Sequence, residues 1–304
     1  ARENNHQDFI LTFNPNPTVY FKKEFPLIHT DAQKRKMLEN LDIDQVVVMN
    51  FNEIVEMSDE RFLREVLIEK YHMKHMVMGE NFRFGKGRKG DIEFLELRAS
   101  RWGFGLTVVK SVTLDQNRIS STAIREKLSQ AKIEEANRML GRCYSIEGVV
   151  VEGDKVGTEL GFPTINLETE NTLLPEGVFK TQVEIEGKTH ASITYIGYRP
   201  TITGSPGALG SAPLRAGVPP LGPKDLHRLG LSAPFEGGGV PLPGREKKVE
   251  SHIFNFDKKI YGQGVKIFFE RKLRDEIKFD SKSSLIKQIE KDIENLKVDK
   301  GPIF

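Results

Sequence analysis

The hydrophobic pattern of the chain changes near residue 140. Before that point, short apolar runs alternate with longer amphipathic segments. Four apolar runs are typical of buried strands: FILTF (9–13), QVVVM (45–49), HMVMG (75–79) and LTVVK (106–110). The segments between and after them predict helices at 31–41, 58–71, 91–102, 121–130 and 133–140. This alternation predicts a parallel sheet that helices cover on both faces.

Beyond residue 143 the pattern is that of strands joined by glycine-containing turns. Five segments carry it: SIEGVVVEGD (145–154), GVFKTQVEIEG (177–187), KTHASITYIG (188–197), KVESHIFNF (248–256) and GVKIFFERKL (264–273). Segment 280–296 predicts a helix whose apolar face consists of Leu285, Ile286, Ile289, Ile293 and Leu296. Five or six antiparallel strands with one helix predict a small closed barrel. We therefore expect an α/β domain over 1–140 and an all-β domain over 141–304.

Segment 205–245 differs from its flanks in composition. It holds 9 of the 27 glycines and 8 of the 15 prolines, with one lysine. Such a composition cannot bury enough apolar surface to fold, so it predicts a disordered insert. Lengthening a turn to this size costs only about 2 kcal/mol of closure entropy, which a barrel tolerates. A genuine insertion and a sequence artefact such as a misread frame both explain it.

The overall composition narrows the function classes. Lysine plus arginine (45) nearly balance aspartate plus glutamate (43), so a net charge of +2 gives no case for a nucleic-acid or membrane partner. Cys143 is the only cysteine, which excludes a disulfide framework and suits a reducing cytoplasm. No apolar run approaches the ~20 residues of a membrane span. We expect a cytoplasmic protein that acts on small molecules, and the oligomeric state stays open.

The stretch GDKVGTELGFPTINL (153–167) has the glycines of a phosphate-binding loop and the side-chain oxygens of a magnesium site. Gly153, Gly157 and Gly161 let backbone N–H groups approach phosphate oxygens without interference from a Cβ. The order differs from the G-x-x-x-x-G-K-[ST] loop, and no helix pattern follows it. An ordinary turn that enters a strand is the alternative.

Nine motifs, in order, resemble the bacterial bifunctional riboflavin kinase/FAD synthetase family. They are LTFNPNP, GENFRFGKGRKGD, RISSTAIR, LGRCYSIEGVV, GDKVGTELGFPTINL, LLPEGVF, YIGYRPT, VESHIFNFDKKIYGQ and LRDEIKFDS. The resemblance covers nearly the whole chain except 205–245. It implies a Rossmann-like nucleotidyltransferase domain that joins FMN to AMP to give FAD. It also implies a kinase β-barrel that phosphorylates riboflavin to FMN, with ATP as the co-substrate of both.

For the kinase, the resemblance implies that ATP lies along a loop of Gly153, Lys155, Gly157, Gly161, Phe162, Thr164 and Asn166. Thr164 and Asn166 would hold Mg²⁺, since hard oxygen ligands beside phosphate suit that ion. Glu250 would be the catalytic base and Arg274 part of the segment that closes over flavin and nucleotide. A surface carboxylate and a solvated charge run are the alternatives. The family's basic residue after the second glycine is Thr158 here, and its alanine between the metal ligands is Ile165.

For the adenylyltransferase, the resemblance implies a nucleotide site of Asn81, Arg118, Ser121, Thr122 and Arg125. Ser121 and Thr122 begin a predicted helix, where N–H groups and the helix dipole attract phosphate. A plain helix cap is the alternative. The family's flavin pocket corresponds to flat apolar side chains here, namely Pro15, Pro17, Phe21 and Phe84.

One family motif does not occur in the sequence. The family's first domain starts with a strand, followed by G-x-F-D-G-x-H-x-G-H on a loop and helix. We expect these segments to be missing, which makes FAD synthesis doubtful for the chain as given. His72 and His75 lie between a helix and a strand, so they are not a substitute, and they lack further ligands for zinc. A catalytically decayed flavin- or nucleotide-binding protein is the alternative function. The complete set of barrel motifs disfavours a lone nucleotidyltransferase for another substrate.

Overall fold

The computed structural model describes residues 6–22, 24–153, 156–198 and 247–297. Lys155 and the predicted insert 205–245 lie outside these residues. The chain divides into two compact units, Ala1–Ser121 and Thr122–Phe304, and each is described by itself.

The first unit alternates strands with helices. Its elements are β1 (Phe9–Asn14), α1 (Pro17–Phe21), α2 (Asp31–Glu39), β2 (Gln45–Asn50), α3 (Phe51–Ile54), α4 (Asp59–Arg61) with a π-helical continuation (Phe62–Lys70), β3 (His75–Gly79), a 3₁₀ turn (Lys86–Arg88), α5 (Ile92–Trp102), β4 (Gly105–Val109), β5 (Thr113–Leu114) and β6 (Asn117–Arg118). The four predicted strands and three predicted helices are confirmed to within a few residues. The short helices α1 and α3 and the β5–β6 hairpin were not predicted.

The sheet of this unit differs from the predicted one. β1 pairs with β2, and β3 pairs with β4, both in parallel, as expected. The two pairs are separate two-stranded sheets, because no strand in the described part of the chain bonds to both. The side chains of Val77 and Val109 are 65% and 48% exposed, so the expectation that helices cover both faces is wrong for the described part of this pair.

The apolar core of the first unit lies among the π-helical stretch, β3 and α5. Leu63 and Leu95 are fully buried in it, and Phe62 and Met78 pack with them. Side-chain caps fix where the helices begin. The Ser58 hydroxyl accepts from Arg61 N at 3.2 Å, and the Asp91 carboxylate accepts from Phe94 N at 2.9 Å. Each cap satisfies a backbone donor that the first helical turn leaves without a partner.

The second unit is built around six strands. Its elements are the continuation of α6 (Ser121–Ser129), then α7 (Ile133–Leu140), β7 (Tyr144–Val151), α8 (Val156–Glu159), β8 (Ile165–Glu168), β9 (Gly177–Ile185), β10 (Lys188–Gly197), β11 (Lys248–Ile253), β12 (Gly264–Arg274) and α9 (Lys282–Lys297). The strands close into an antiparallel barrel in the order β10-β11-β8-β7-β12-β9. The predicted barrel and terminal helix are confirmed, and β8 is the strand that the five predicted segments did not include.

The two faces of each barrel strand have different environments. On β11, Val249, Ser251 and Ile253 are buried, whereas Glu250 and His252 are half-buried on the outer face. The alternation predicted from the sequence of this strand is therefore confirmed. Four buried hydroxyls of the barrel bond with one another, on Thr181, Ser192, Thr194 and Ser251.

Helix α7 packs on the barrel. The Asn137 amide donates to Phe269 O at 2.8 Å, and its oxygen accepts from Tyr144 N at 2.7 Å. All of these groups are buried, so the amide satisfies backbone groups that water does not reach. The compact units divide after Ser121, and the domain boundary after residue 140 stays a prediction.

Candidate active sites

Three polar side chains form a row across adjacent strands of the barrel. Glu250 on β11 lies directly opposite Asn166 on β8, and on its other side directly opposite Tyr195 on β10. Residues that face each other across an antiparallel pair project from the same face, with Cβ atoms roughly 5 Å apart. All three are half-buried on the outer face of the barrel. A carboxylate, an amide and a phenol therefore lie side by side.

The glycine loop lies directly against the two predicted metal ligands. A Cβ at Gly153 would collide with the Asn166 amide, and a Cβ at Gly157 would lie 2.9 Å from Thr164 Oγ1 and 2.5 Å from Phe162 O. Only glycine permits these approaches. Thr164 and Asn166 are both half-buried beneath the loop. The structure thus brings together the oxygen-bearing side chains and the glycines that the sequence singled out.

The rest of the loop folds onto β11. Phe162 N donates to Gly157 O at 2.8 Å, and Gly161 has a φ of 85°, which glycine adopts without strain. The Phe162 ring packs edge-on against His252 at 5.8 Å, and His252 Nδ1 hydrogen bonds with Pro163 O at 2.8 Å. These contacts fix the loop next to Glu250. The short helix α8 within the loop was not predicted.

Arg274 is not a solvated charge. Its Nη2 lies 2.8 Å and its Nε 2.9 Å from Asp292 Oδ2 of α9, and the two side chains are only 17% and 6% exposed. Arg274 faces Val178 across β12 and β9, and Val178 faces Tyr195. It therefore extends the same row of the barrel, and its ion pair attaches the terminal helix there.

Tyr195 is a member of the row that the sequence did not indicate. Its hydroxyl lies 2.7 Å from Tyr198 O and 2.9 Å from Glu276 Oε1. Burial, followed by the bond to Glu276 and the charge of Glu250, raises the pKa of Tyr195. The phenol is therefore a neutral donor beside two carboxylates. The alternation of the segment TYIG places it on the outer face, but its neighbours follow only from strand pairing.

In the first unit, two predicted nucleotide-contacting residues touch each other. With the Asn81 amide oriented so that its oxygen faces Arg118, that oxygen accepts from Nη1 at 2.9 Å and from Nη2 at 2.7 Å. Arg118 ends the β5–β6 hairpin, whose turn residues Asp115 and Gln116 have φ of 50° and 65°. Such a turn reverses the chain tightly and presents the guanidinium beyond the carboxyl ends of β3 and β4. Both residues are exposed.

The remaining nucleotide residues lie on α6. Ser121 and Thr122 are exposed in its first turn, where backbone N–H groups favour anions. Arg125, one turn further on, is half-buried, and this burial lowers its pKa. The division between the compact units falls inside this helix, after Ser121.

Three of the four predicted flavin-pocket residues lie together after β1. Pro15 and Pro17 flank Asn16, which caps α1, and Phe21 ends that helix with 69% of its side chain exposed. Phe21 packs edge-on against Tyr20 and Phe51, with centroids 5.1 Å and 6.0 Å away. Phe51 directly follows β2, so these rings gather at the carboxyl ends of β1 and β2. The sequence did not indicate Tyr20 and Phe51, because their short helices have no periodic pattern.

Phe84, the fourth predicted residue of the pocket, lies in the apolar core instead. It is 8% exposed and packs against Phe62, Phe82 and Phe94, with ring centroids 5.5 to 6.0 Å apart. A Cβ at Gly90 would meet its ring at 2.6 Å. Phe82, half-buried and stacked on Phe84, is the side chain of this pair with more exposed surface.

Two other features bear on ligands and location. His75 Nε2 hydrogen bonds with Thr107 Oγ1 at 2.8 Å, and the described residues contain no group of three or more His, Cys, Asp or Glu able to hold a metal. Thr164 and Asn166, the predicted Mg²⁺ ligands, carry a hydroxyl and an amide and so lie outside that search. Among the described helices, none is both long and apolar enough to span a membrane.

The fold and the candidate sites are those of a two-domain enzyme that binds nucleotides. An α/β unit gathers polar and aromatic groups at strand ends, and an antiparallel barrel carries a carboxylate–amide row under a glycine loop. The sequence model of FAD synthetase matches residues 1–123. That of riboflavin kinase matches residues 140–209 and 236–298, so 210–235, within the predicted insert, fall outside the match.

Curated relatives agree with both matches. A Haemophilus influenzae protein named bifunctional riboflavin kinase/FMN adenylyltransferase is 32% identical over 293 residues, 95% of this chain and 82% of the relative. One of the same name from Buchnera aphidicola subsp. Schizaphis graminum is 31% identical, over 98% of this chain and 85% of the relative. The chain belongs to the bifunctional riboflavin kinase/FMN adenylyltransferase family, which confirms the resemblance seen in its motifs.

A solved structure supports the fold. A Streptococcus pneumoniae protein described as a macrolide-efflux protein superposes with a TM-score of 0.76, over 97% of this chain and 84% of its own. Its sequence is 24% identical, so this similarity bears on the fold alone.

Proposed function

We propose that this chain uses ATP to phosphorylate riboflavin at the Asn166–Glu250 row and to adenylylate FMN at the strand ends of the first unit. The proposed kinase activity rests on one observation, the direct pairing of Glu250 with Asn166 beneath Gly153 and Gly157. Both family domains and the names of the relatives support both halves. One cysteine and a nearly balanced charge favour a cytoplasmic enzyme without nucleic-acid partners.

In the kinase reaction, the reacting groups need positioning and charge neutralisation more than covalent help. The Thr164 hydroxyl and the Asn166 amide oxygen suit Mg²⁺, which would neutralise the charge of the phosphates when bound. Glu250, one strand away, takes the proton of the riboflavin 5′-hydroxyl while the riboflavin 5′-oxygen bonds to the γ-phosphorus. The bond from that phosphorus to the β,γ-bridging oxygen breaks, and ADP leaves.

In the adenylyl transfer, a phosphate oxygen of FMN bonds to the α-phosphorus of ATP, and pyrophosphate leaves. Arg118, held by Asn81, supplies positive charge for these phosphates. The exposed rings of Tyr20 and Phe21, with the half-buried Phe51 beside them, offer apolar faces on which the isoalloxazine can stack.

The experiment is to incubate the purified chain with riboflavin, ATP and Mg²⁺ and to separate the flavins by chromatography. FMN and FAD together are expected because both family domains match the chain, against the doubt about FAD that the absent G-x-F-D-G-x-H-x-G-H motif raised. EDTA abolishes both products if the metal assignment is right. FMN alone would overturn the adenylylation half. Neither product, with riboflavin fluorescence still quenched on binding, would overturn the proposal in favour of a decayed flavin-binding protein.

A further inference from the structure

Tyr195 has no part in the proposed chemistry, yet it belongs to the same row as Glu250 and Asn166. It faces Glu250 across β10 and β11, and its hydroxyl lies 2.9 Å from Glu276 Oε1. Glu276 belongs to the segment 275–281, which connects β12 with α9 and has no regular structure. One phenol therefore connects the barrel face that carries Glu250 to the segment that follows Arg274.

The residues around Tyr195 leave room for its phenol and favour the protonated form. A Cβ at Gly197 would collide with its hydroxyl oxygen, so glycine is needed two residues further on. Burial and two neighbouring carboxylates, Glu276 and Glu250, favour the protonated form, which can donate. A hydrogen bond from a neutral donor to a charged acceptor is stronger than one between neutral groups.

We propose that Tyr195 is a positioning residue of the kinase site, which holds segment 275–281 beside the Glu250–Asn166 row through its bond to Glu276. The inference rests on the proposed function, in which riboflavin is phosphorylated at this row, so a segment bonded to Tyr195 lies beside the flavin. Two anchors then hold the segment. The buried Arg274–Asp292 ion pair holds the start of the segment, and the Tyr195–Glu276 bond holds it two residues later.

The expected kinetic effect follows from which groups the Tyr195–Glu276 bond positions. Asn166 on β8 and Glu250 on β11 do not depend on this bond for their own placement, and neither does Thr164 just before β8. Loss of the bond leaves the segment less ordered before riboflavin binds, and ordering then costs binding free energy. A loss of binding shared by ground state and transition state raises KM and leaves kcat unchanged.

The test compares Tyr195→Phe with Tyr144→Phe. Tyr144 is a matched control, because it is a tyrosine whose hydroxyl donates one hydrogen bond, to Leu173 O at 2.6 Å, but on the barrel interior. Tyr195→Phe is expected to raise the riboflavin KM about fivefold, the effect of one hydrogen bond, with kcat within about twofold of wild type. Tyr144→Phe is expected to lower the melting temperature and leave both constants unchanged.

Two further measurements separate the outcomes. Glu276→Ala should reproduce the riboflavin KM of Tyr195→Phe, and adding it to Tyr195→Phe should change nothing further, since the Tyr195–Glu276 bond is already lost. Amide hydrogen exchange across 275–281 should accelerate in Tyr195→Phe only. An unchanged KM in an active Tyr195→Phe enzyme, or additive effects in the double variant, would overturn the inference. A wild-type chain that forms no FMN would instead overturn the proposed function.

Discussion

The Asn166 side chain lies against the backbone of Gly153, so closely that a methyl group on that glycine would collide with its amide. Gly153 needs no unusual backbone angle, whereas Gly161, eight residues on, has a φ of 85° and open space around it. The glycines of one loop therefore serve two different needs. Gly153 makes room for the Asn166 side chain, and Gly161 lets the chain turn.

Gly153→Ala tests the first of these needs. The added methyl group must displace either the loop or Asn166, and a misplacement near 1 Å costs on the order of 100-fold in rate. We expect FMN formation to fall by about that factor while the barrel keeps its melting temperature. Gly187→Ala is the control, because Gly187 has a φ of 76° in the β9–β10 turn and no neighbour within 4 Å. It should lower stability and spare activity; equal rates in the two variants would contradict the close-approach argument.

Glu250→Gln removes the proposed base and keeps the shape of the side chain. Removal of a general base costs roughly 100- to 10,000-fold, so kcat for FMN formation should drop within that range while the KM values for riboflavin and ATP change little. Glu184→Gln, another half-buried outward carboxylate of the barrel, is the control and should retain wild-type kcat. A kcat for Glu250→Gln within threefold of wild type would assign Glu250 to the barrel surface.

Thr194→Val probes the hydroxyl network inside the barrel. Thr194 Oγ1 lies 2.7 Å from Thr181 Oγ1 and 3.0 Å from Ser251 Oγ, and all three residues are at most 1% exposed. Valine has nearly the same shape but leaves buried hydroxyls with fewer partners, which costs about 1–3 kcal/mol. Denaturant unfolding of the barrel should show this loss. The exposed Thr189, on the same strand, should accept valine with little change in stability.

The long periodic segments of the fold could be predicted from the sequence, and short elements could not. β3 and β10 begin and end at the predicted residues, because alternation and flanking turns define them. The four-residue strand β8 carries the proposed metal ligand Asn166, yet four residues are too few for a pattern. Its existence follows from its partners β7 and β11, of which β11 is distant in sequence.

The same limit applies to the candidate site: local motifs could be predicted from the sequence, and contacts between distant segments could not. Loop glycines and the family resemblance predicted Gly153, Asn166 and Glu250 as members of one candidate site, and the structure places these three residues next to one another. Phe84 lies in the core because Phe62 and Phe94, which belong to two different helical segments, pack around it. The partners of Tyr195 and Arg274 likewise depend on strand register and on α9, which no local pattern specifies.

Arg118→Ala separates the two activities. The guanidinium bonds with Asn81 and faces the proposed triphosphate site, and a lost charge-assisted hydrogen bond corresponds to about 10- to 100-fold in rate. FAD formation from supplied FMN should fall by that factor, while FMN formation from riboflavin stays unchanged, because Arg118 belongs to the other unit. Arg101→Ala, an exposed arginine in the last turn of α5, should leave both rates unchanged. A matched loss of FMN formation in Arg118→Ala would contradict this division of labour.

Arg274 pairs with a buried carboxylate, so its stability effect must be separated from any effect on flavin. Arg274→Met leaves Asp292, with 6% of its side chain exposed, charged and without this partner, which costs roughly 3–5 kcal/mol. The melting temperature of the barrel should fall accordingly, and α9 should show faster amide exchange. Asp292→Leu added to Arg274→Met removes the stranded charge and should recover most of the stability, because an apolar pair often replaces a buried ion pair at no net cost.

The double variant then decides what Arg274 does in catalysis. If the arginine only attaches α9, Arg274→Met/Asp292→Leu recovers both stability and the riboflavin KM. If the guanidinium also contacts flavin or nucleotide, stability recovers but KM stays raised, since no charge is left to meet the ligand. The resemblance of LRDEIKF to the family's closing segment leads us to expect the second result. Recovery of both quantities would restrict Arg274 to holding the terminal helix, and the closing role would then rest on segment 275–281 and its bond to Tyr195.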